Sequence, residues 1–464
     1  MANTRWARRV APVRSISVLS RLDLRGKQGD LVALLPRPDL SVEAPTEAVR
    51  NLLDDVRVRG DEAVLELTER FDGARLDTTL VDPELLVAAW DGLEPALKAA
   101  LQMAHDRVLE FHRAEASDAH DVESNGIHIR SVPQPVERAG MYVPGGLAAY
   151  PSTILMTVLP ARAAGVEDIV LCTPPSPEGD LLPVVMAAAH LCGVTEVHKI
   201  GGVQAVGAMA YGTDTIRPVD VIAGPGNIWV ATAKQEVAGH VGIASAFAGP
   251  SEIVVIADST CPASSAAVDV VLQAEHGPGG RAWLITWDEP YADAVDAAVT
   301  AIVNISPRRD ATLATLEADG YLCLVDGPEA AIAVANGVAP EHLQLMCANA
   351  SNLATSVRHA GAVFVGQWGP ASIGDYVAGP SHVLPTAGTA RFSGALTVDD
   401  FQKRMHIVDV SKAGFDAVRE SVAALATAEG LWAHGASVSE RERWAIAGIE
   451  PAGIEPAGVE GAPA

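Results

Sequence analysis

Two Glu-His dipeptides, Glu275-His276 and Glu341-His342, have the residue types and spacing best suited to chemistry. The first ends the run Gln273-Ala-Glu-His276, which follows an apolar stretch that predicts a helix. Residues three apart share a helical face, so Gln273 and His276 can contact one ligand while Glu275 points elsewhere. The second dipeptide precedes a strand-like alternation. We therefore predict that the first pair holds a ligand and the second moves protons.

A metal site is the next possibility that these side chains raise. An amide oxygen from Gln273, imidazoles from His276 and His434 and a carboxylate from Asp375 would suit zinc, which accepts nitrogen and oxygen ligands. Because the four residues are widely dispersed, unlike the compact H-E-x-x-H motif, spacing alone leaves a second interpretation open. In that interpretation the histidines are ordinary core or surface residues.

Three glycine-containing turns follow predicted strands: Tyr142-Val-Pro-Gly-Gly146, Gly201-Gly-Val-Gln204 and Gly224-Pro-Gly-Asn227. None matches G-x-G-x-x-G, the standard dinucleotide fingerprint. Singly, each is most simply a strand-to-helix turn. Their repeated position after strands nevertheless favours a nucleotide-sized cleft, in which Tyr142 could stack on a ring while Gln204 and Asn227 hydrogen-bond ribose or phosphate oxygens.

The elements that must position these residues are short apolar strands that alternate with helix-like segments. One series of strands is predicted at residues 166–172, 196–200 and 219–223, and a second at residues 252–257, 282–286, 321–325, 342–346 and 362–365. This alternation predicts an α/β fold with parallel sheets covered on both faces. Ligands of such sheets bind at the carboxyl ends of the strands, where we expect the glycines and polar residues to gather.

Composition narrows the class of protein. A chain of 464 residues that is 49% hydrophobic predicts two large domains with smaller pieces. A net charge of −25 argues against a nucleic acid partner. The five dispersed cysteines form no C-x-x-C motif and indicate a reducing cytosol, where they serve as small buried hydrophobes. No apolar run is long enough to cross a membrane, so we expect a cytoplasmic protein.

The two ends of the chain are predicted to lie outside the catalytic core. Residues 1–22 carry five arginines and no acid, a pattern most simply explained by a disordered basic arm or an overlong gene start. The run Ala447-Gly-Ile-Glu-Pro recurs from Ala452, and its prolines disfavour a helix. This tail is predicted to be flexible and non-catalytic.

The run Phe247-Ala-Gly-Pro-Ser-Glu-Ile253, followed by Gln273-Ala-Glu-His276, resembles the signature of histidinol dehydrogenases, which catalyse the last two oxidations of histidine biosynthesis. Further motifs occur in the family's order along nearly the whole chain. They are Leu22-Asp-Leu-Arg25, Tyr142-Val-Pro-Gly-Gly146, Ile222-Ala-Gly-Pro-Gly-Asn227, Pro340-Glu-His-Leu343, Gly374-Asp-Tyr376, His382-Val-Leu-Pro-Thr386 and Ala428-Glu-Gly-Leu-Trp-Ala-His434.

The resemblance implies a role for each matching residue. The zinc ligands it implies are Gln273, His276, Asp375 and His434. The catalytic residues are Glu341 and His342, and the nicotinamide cofactor contacts Tyr142, Gln204 and Asn227. The residues that bind substrate are Ser251, Gln273, His276, His342, Asp375, Glu429 and His434. The family is homodimeric with shared active sites, so Glu429 and His434 are expected to act in the partner's site.

We therefore expect two incomplete Rossmann-like, doubly wound parallel-sheet domains plus small terminal helical pieces exchanged across a dimer. The predicted boundaries are an N-terminal arm at 1–34, a substrate and zinc domain at 35–137 with 248–387, an NAD domain at 138–247, a dimerisation segment at 388–446 and a flexible tail at 447–464. His382 is predicted to order the loop after Asp375, and Glu275 is predicted to be a bystander.

The predicted reaction is the zinc-dependent, NAD-linked oxidation of L-histidinol to L-histidine through L-histidinaldehyde. Zinc would orient the substrate imidazole and amine. His342, with a near-neutral pKa, would remove the hydroxyl proton as hydride leaves. Glu341 would activate water for the second oxidation, Glu429 would pair with the substrate ammonium group, and Ser251 would hydrogen-bond the substrate.

Two alternatives stay open at this point. A dehydrogenase of the same fold could act on another small alcohol, such as a sulfonated diol, although Glu429 would repel an anion. A non-catalytic zinc- or nucleotide-binding homologue would be expected to have lost Glu341 or His342, and both are present.

Overall fold

The structure, a computed structural model, describes residues 17–27, 29–36, 45–145, 149–244, 251–277 and 279–447. Half of the predicted N-terminal arm, Gly146, the first four residues of the 247–253 motif and the tail beyond residue 447 lie outside these ranges. The described residues form two compact units. Unit 1 takes its residues from 1–116 and 135–402, and unit 2 from 117–134 and 403–464.

Strands and helices alternate through most of the chain, as the sequence predicts. The strands are β1 (Ser20–Asp23), β2 (His120–Ser124), β3 (Ile127–Pro135), β4 (Arg138–Tyr142), β5 (Asp168–Thr173), β6 (Glu196–Lys199), β7 (Val221–Ala223), β8 (Gly242–Ile243), β9 (Glu252–Ala257), β10 (Arg281–Thr286), β11 (Gly320–Leu324), β12 (His342–Met346), β13 (Ala362–Val365) and β14 (Gln402–Val410).

The helices connect these strands and cover their faces. They are α1 (Thr46–Arg59), α2 (Asp61–Asp72), α3 (Pro83–Asp91), α4 (Pro95–Glu115), α5 (Pro151–Ala164), α6 (Pro183–Leu191), α7 (Gly202–Tyr211), α8 (Ile228–Val237), α9 (Ala263–Leu272), α10 (Glu289–Ile305), α11 (Arg309–Asp319), α12 (Pro328–Val338), α13 (Ala350–Ala354), α14 (Ala371–Tyr376), α15 (Lys412–Ala428) and α16 (Trp432–Ile446).

Unit 1 contains a six-stranded sheet in the order β1-β11-β10-β9-β12-β13, in which every pairing is parallel. Strands β9 and β10 are buried on both faces, which explains why they read as nearly unbroken apolar runs. Alternate residues of β9 enter different cores: Ile253 and Val255 face one layer of helices, and Val254 and Ile256 face the other. The prediction of parallel sheets covered on both faces is therefore confirmed for this sheet.

Unit 1 also contains a five-stranded parallel sheet in the order β6-β5-β4-β7-β8. Helices α3 to α6 contribute to the core on one face, and α1, α2, α7 and α8 to the core on the other. The predicted first domain groups residues 35–137 with the other sheet, whereas helices α1 to α4 pack on this one. Periodicity shows which face of a helix is apolar but not which of two sheets that face will cover.

Unit 2 contains the three-stranded sheet β14-β3-β2 and the helices α15 and α16. Strands β2 and β3 form an antiparallel hairpin whose two turn residues, Asn125 and Gly126, both have positive φ. The two helices contact each other, and Arg419 of α15 donates a hydrogen bond to Glu442 of α16 over 2.6 Å.

Two broader expectations can be compared with the described residues. All five cysteines are buried and free, which confirms the prediction that they serve as small hydrophobes. Within the described ranges, no helix combines the length and apolar character that crossing a membrane requires.

Candidate active site

The second Glu-His dipeptide lies at the amino ends of the six-stranded sheet. His342 is the first residue of β12, beside Ile253 of β9, and Ser251 directly precedes β9. Gln273 follows α9, which returns the chain from the far edge of the sheet. The expectation that polar residues gather at the carboxyl ends is therefore wrong for this group, because residues that follow a crossover helix return to the amino edge.

The imidazole of His342 is fixed on every side. It is 2% exposed, and its ring stacks on Phe364 with a centroid distance of 6.0 Å. Nδ1 lies 3.0 Å from the backbone oxygen of Glu252 and 3.4 Å from Oε2 of Glu341. Nε2 lies 3.2 Å from Oδ1 of Asp375. The ring therefore presents both nitrogens to oxygen acceptors in one orientation.

These acceptors determine the charge of His342. Burial lowers the pKa of the imidazole, but the carboxylates of Glu341 and Asp375 outweigh burial and raise the pKa well above its ordinary value. Two acceptors around one ring also favour the doubly protonated form. The near-neutral pKa predicted from the sequence does not hold for the described arrangement, because that prediction did not include Asp375 against the ring.

A third carboxyl group, Glu252, was missed by the sequence analysis. Its backbone N–H donates to Oε2 of Glu341 over 2.7 Å. Burial is the main reason that the pKa of Glu252 rises to about 7, and the neighbouring carboxylate of Glu341 raises it further while Arg281 opposes the rise. The signal was present, since Glu252 is the only charged residue in an otherwise apolar strand.

Gln273 and Asp375 form the part of the predicted metal site that the structure brings together. Gln273 is 1% exposed, and its Nε2 donates to Oδ2 of Asp375 over 3.0 Å. Burial raises the pKa of Asp375, but His342 lowers it more, so the carboxylate is ionised. An amide and an ionised carboxylate are chemically suitable zinc ligands.

His276 occupies a different local structure from the one predicted. Helix α9 ends at Leu272, and residues Ala274–His276 form a short 3₁₀ turn whose last side chain is exposed. Gln273 and His276 therefore do not share the face of one continuous helix. A hydrogen bond of 3.3 Å from the His276 N–H to the Gln273 carbonyl connects them instead. No group of three or more His, Cys, Asp and Glu side chains in the described ranges is arranged to hold a metal ion.

The remaining predicted substrate residues, Ser251, Glu429 and His434, lie in different elements of the chain. Ser251 is half-buried, and its carbonyl accepts a hydrogen bond from the Arg281 N–H over 3.1 Å. Glu429 and His434 belong to unit 2, where both are exposed at the junction of α15 and α16. Their predicted role in the active site stays a prediction.

His382 orders the segment after Asp375, as predicted. Its Nδ1 lies 2.8 Å from the backbone oxygen of Asp375, and its Nε2 lies 3.3 Å from Oγ1 of Thr153. Burial lowers the pKa of His382. Because Thr153 belongs to α5, this buried ring connects the Asp375 segment to a helix of the five-stranded sheet.

A cavity of about 850 Å³ lies at the carboxyl ends of the five-stranded sheet, where the sequence analysis expected a ligand. Tyr142 ends β4, Thr173 ends β5, and both line the cavity. Gln204 and Asn227, the other two predicted cofactor residues, line it as well. Its volume is in the range of small-molecule sites.

The three predicted cofactor residues have different environments. Tyr142 is 5% exposed, and its hydroxyl accepts a hydrogen bond from the Gly202 N–H over 3.2 Å. Oδ1 of Asn227 caps α8 by accepting from the N–H groups of Trp229 and Val230. Gln204 is 1% exposed, and neither atom of its amide has a hydrogen-bond partner among the described residues. Buried polar groups normally have partners, so Gln204 is the residue best placed to receive a ligand.

Comparison with known proteins gives a consistent result. A family model described as histidinol dehydrogenase matches residues 35–442. A histidinol dehydrogenase from Parasynechococcus marenigrum is 44% identical over 423 residues, which cover 90% of this chain and 96% of the relative. One from Bacillus subtilis is 43% identical over 87% of this chain and 95% of the relative. The crystal structure of histidinol dehydrogenase from Elizabethkingia anophelis superposes with a TM-score of 0.88 at 34% identity, covering 93% of this chain and 99% of that one.

Proposed function

The chain belongs to the histidinol dehydrogenase family, and we propose that it oxidises L-histidinol to L-histidine through L-histidinaldehyde, with NAD as hydride acceptor and zinc as metal cofactor. The observation that carries this proposal is the position of His342, whose ring lies between Glu341 and Asp375. A residue that exchanges protons and a carboxylate suited to a metal are thereby in direct contact.

The first oxidation requires a proton acceptor beside the substrate hydroxyl. His342 accepts this proton at Nε2 once the ring is neutral, and the Glu252 carbonyl accepts a hydrogen bond from Nδ1–H, which selects the tautomer in which Nε2 carries no proton. Gln273, His276 and Asp375, with His434 of the partner subunit, would hold zinc. When bound, zinc supplies a positive charge that orients the imidazole and amine of histidinol.

The second oxidation requires water to add to the aldehyde. Glu341 is assigned this role because one of its oxygens is bound by the Glu252 N–H, which aims the carboxylate toward the ring of His342. Glu429 would pair with the ammonium group of histidinol, and Ser251 would bind the substrate where β9 begins.

The cavity is the proposed NAD site. In each parallel sheet of unit 1, five consecutive strands follow the order 3-2-1-4-5, which supports two incomplete Rossmann-like sheets. Strands β4 and β7 are neighbours where this order reverses; Tyr142 is the last residue of β4, and Asn227 follows β7. The unpartnered amide of Gln204 supports binding of a polar ligand.

One end of the cavity lies near the catalytic group. Burial is the main reason that the pKa of Tyr376, the residue after Asp375, is raised, and Tyr150, which lines the cavity, is near enough to raise it further. We therefore place the nicotinamide toward Tyr150 and the adenosine away from it. Family membership further supports a cytoplasmic homodimer with shared active sites, no nucleic acid or membrane partner, and L-histidinol as the small-molecule substrate.

Product analysis tests this function. Purified protein is incubated with NAD and either L-histidinol or a sulfonated diol, and the products are separated by chromatography. We expect L-histidine from L-histidinol only, loss of the activity on treatment with a chelator, and its recovery with zinc. Oxidation of the diol without formation of histidine would refute the proposed substrate, and full activity in metal-free protein would refute the role of zinc.

A further inference from the structure

Asp72 is a carboxylate in the cavity that no step of the proposed reaction uses. It is the last residue of α2, followed by Gly73 in the left-handed conformation, and it lines the same cavity as Tyr142 and Gln204. Its Oδ2 is buried and has no hydrogen-bond partner among the described residues. A carboxylate in this state carries a desolvation cost that a hydrogen-bond donor on a ligand would remove.

The surroundings of Asp72 indicate which donor that is. Asp72 is close enough to Tyr142 to influence its hydroxyl electrostatically. Phe71 and Pro177 line the cavity beside it, and Gly73 packs against Pro177. An apolar surface next to a carboxylate suits a nucleoside, whose base packs on the apolar side chains while its ribose hydroxyls donate to the carboxylate.

The charge of the cavity favours two phosphates over three. None of its described lining residues is Lys, Arg or His, whereas two of them, Asp72 and Asp180, are acidic. A pyrophosphate does not need a cationic side chain here, because helices α7 and α8 begin beside the cavity, at Gly202 and Ile228, and the amino end of a helix carries partial positive charge. A further phosphate on the ribose would meet a carboxylate without a cation to offset the repulsion.

We propose that Asp72 accepts hydrogen bonds from the 2′- and 3′-hydroxyls of the adenosine ribose of NAD and, by its charge, excludes the 2′-phosphate of NADP. This inference rests on the proposed function, since it assumes that the cavity holds a nicotinamide dinucleotide. It agrees with the rise in the pKa of Asp72 to about 6, caused by burial, which still leaves the group ionised at neutral pH. A ligand that donates hydrogen bonds to the carboxylate would favour the ionised form further.

The test compares NAD and NADP in the full-length protein and in Asp72→Asn, Asp72→Ala and the control Glu69→Gln. Glu69 is an exposed acidic residue on the same helix and does not line the cavity. Its variant therefore removes one negative charge from the helix without changing the cavity. Dissociation constants are measured by calorimetry, and kcat/KM is measured with L-histidinol at pH 7.5. Thermal unfolding and kcat at saturating NAD report whether each variant is folded.

The unchanged protein and Glu69→Gln are expected to bind NAD at least about 30-fold more tightly than NADP. Asp72→Asn and Asp72→Ala are expected to weaken NAD binding by about 10-fold and to tighten NADP binding, so that the preference falls to about threefold or less. Equal binding of NAD and NADP by the unchanged protein, or an unchanged preference in the Asp72 variants, would overturn the role of Asp72. If histidinol is still oxidised with NAD in those cases, the proposed function stands; if NAD neither binds nor is reduced, both fail.

Discussion

Nε2 of His342 lies 3.2 Å from Oδ1 of Asp375, although 33 positions separate the two residues in the chain. The other oxygen of the same carboxylate accepts a hydrogen bond from Gln273. Asp375 therefore joins the proposed proton acceptor to the proposed metal ligands. Positive charge brought to Asp375 weakens its attraction for the His342 proton, so substrate and metal binding at this carboxylate are coupled to the protonation of the base.

Glu341→Gln separates the two oxidations. If Glu341 activates water, the variant should oxidise L-histidinaldehyde about 100-fold more slowly, while oxidation of L-histidinol falls less than about 10-fold. The two half-reactions are measured by supplying each substrate and following NADH, with the exposed Glu275→Gln as the control. An equal loss in both would show that Glu341 acts by orienting His342 alone.

Mixing two inactive variants tests whether the active sites are shared. Asp375→Asn loses a residue of unit 1 and His434→Ala one of unit 2, and each homodimer should be inactive. After subunit exchange, half of the dimers are mixed and each has one complete site, so about a quarter of the normal activity should return if His434 acts in its partner. No recovery, with exchange verified by mass spectrometry, would place His434 in its own subunit's site.

Gln204→Met should change stability and coenzyme affinity in opposite directions. The buried amide has no partner among the described residues, so an apolar side chain of similar size should raise the free energy of unfolding by about 1 kcal/mol. Loss of the amide should weaken NAD binding by about 10-fold. Chemical denaturation and calorimetry measure the two effects, with the exposed Gln235→Met as control. Unchanged NAD affinity would remove Gln204 from the coenzyme site.

Glu252→Gln should alter how stability depends on pH. In the folded state Glu252 keeps its proton up to a pKa of about 7, whereas the ordinary value is 4.5. Its stabilising contribution to folding is therefore fully present below pH 4.5 and is lost as the pH rises from 4.5 through about 7. Between pH 5 and pH 8 the natural protein should therefore lose about 2 kcal/mol relative to the variant. Urea denaturation at both values measures this difference. A constant difference between the two proteins would mean that Glu252 is ionised in the fold throughout.

The sequence was most informative about the boundaries of strands. Strands β9, β12 and β13 begin and end at the predicted residues, and the nearly unbroken apolar run of β9 is what a fully buried parallel strand requires. Within the apolar stretch before Gln273, the single charge, Asp269, proves to be bound by the buried side chain of Gln344 over 2.6 Å. Such a partner cannot be read from periodicity, which gives the face of an element and not its neighbour.

The candidate site was predictable as a set of residues but not as an arrangement. The pairing of His342 with Asp375 depends on which edge of the sheet each loop reaches, and the raised pKa of His342 follows from that pairing. Asp72 was missed because nothing in its local sequence shows that its carboxyl group is buried, whereas Glu252 left a signal as the only charged residue of an apolar strand. Burial without a partner is a property of tertiary packing, and it identified both residues only in the folded chain.

The stoichiometry of NADH formation tests the central claim most directly. A limiting amount of L-histidinol is added to purified protein with excess NAD and zinc, and NADH is followed to completion. We expect two NADH per histidinol, and an initial rate lowered about 1000-fold in His342→Ala with NAD affinity unchanged. One NADH per histidinol, no NADH at all, or a full rate in His342→Ala would contradict the account.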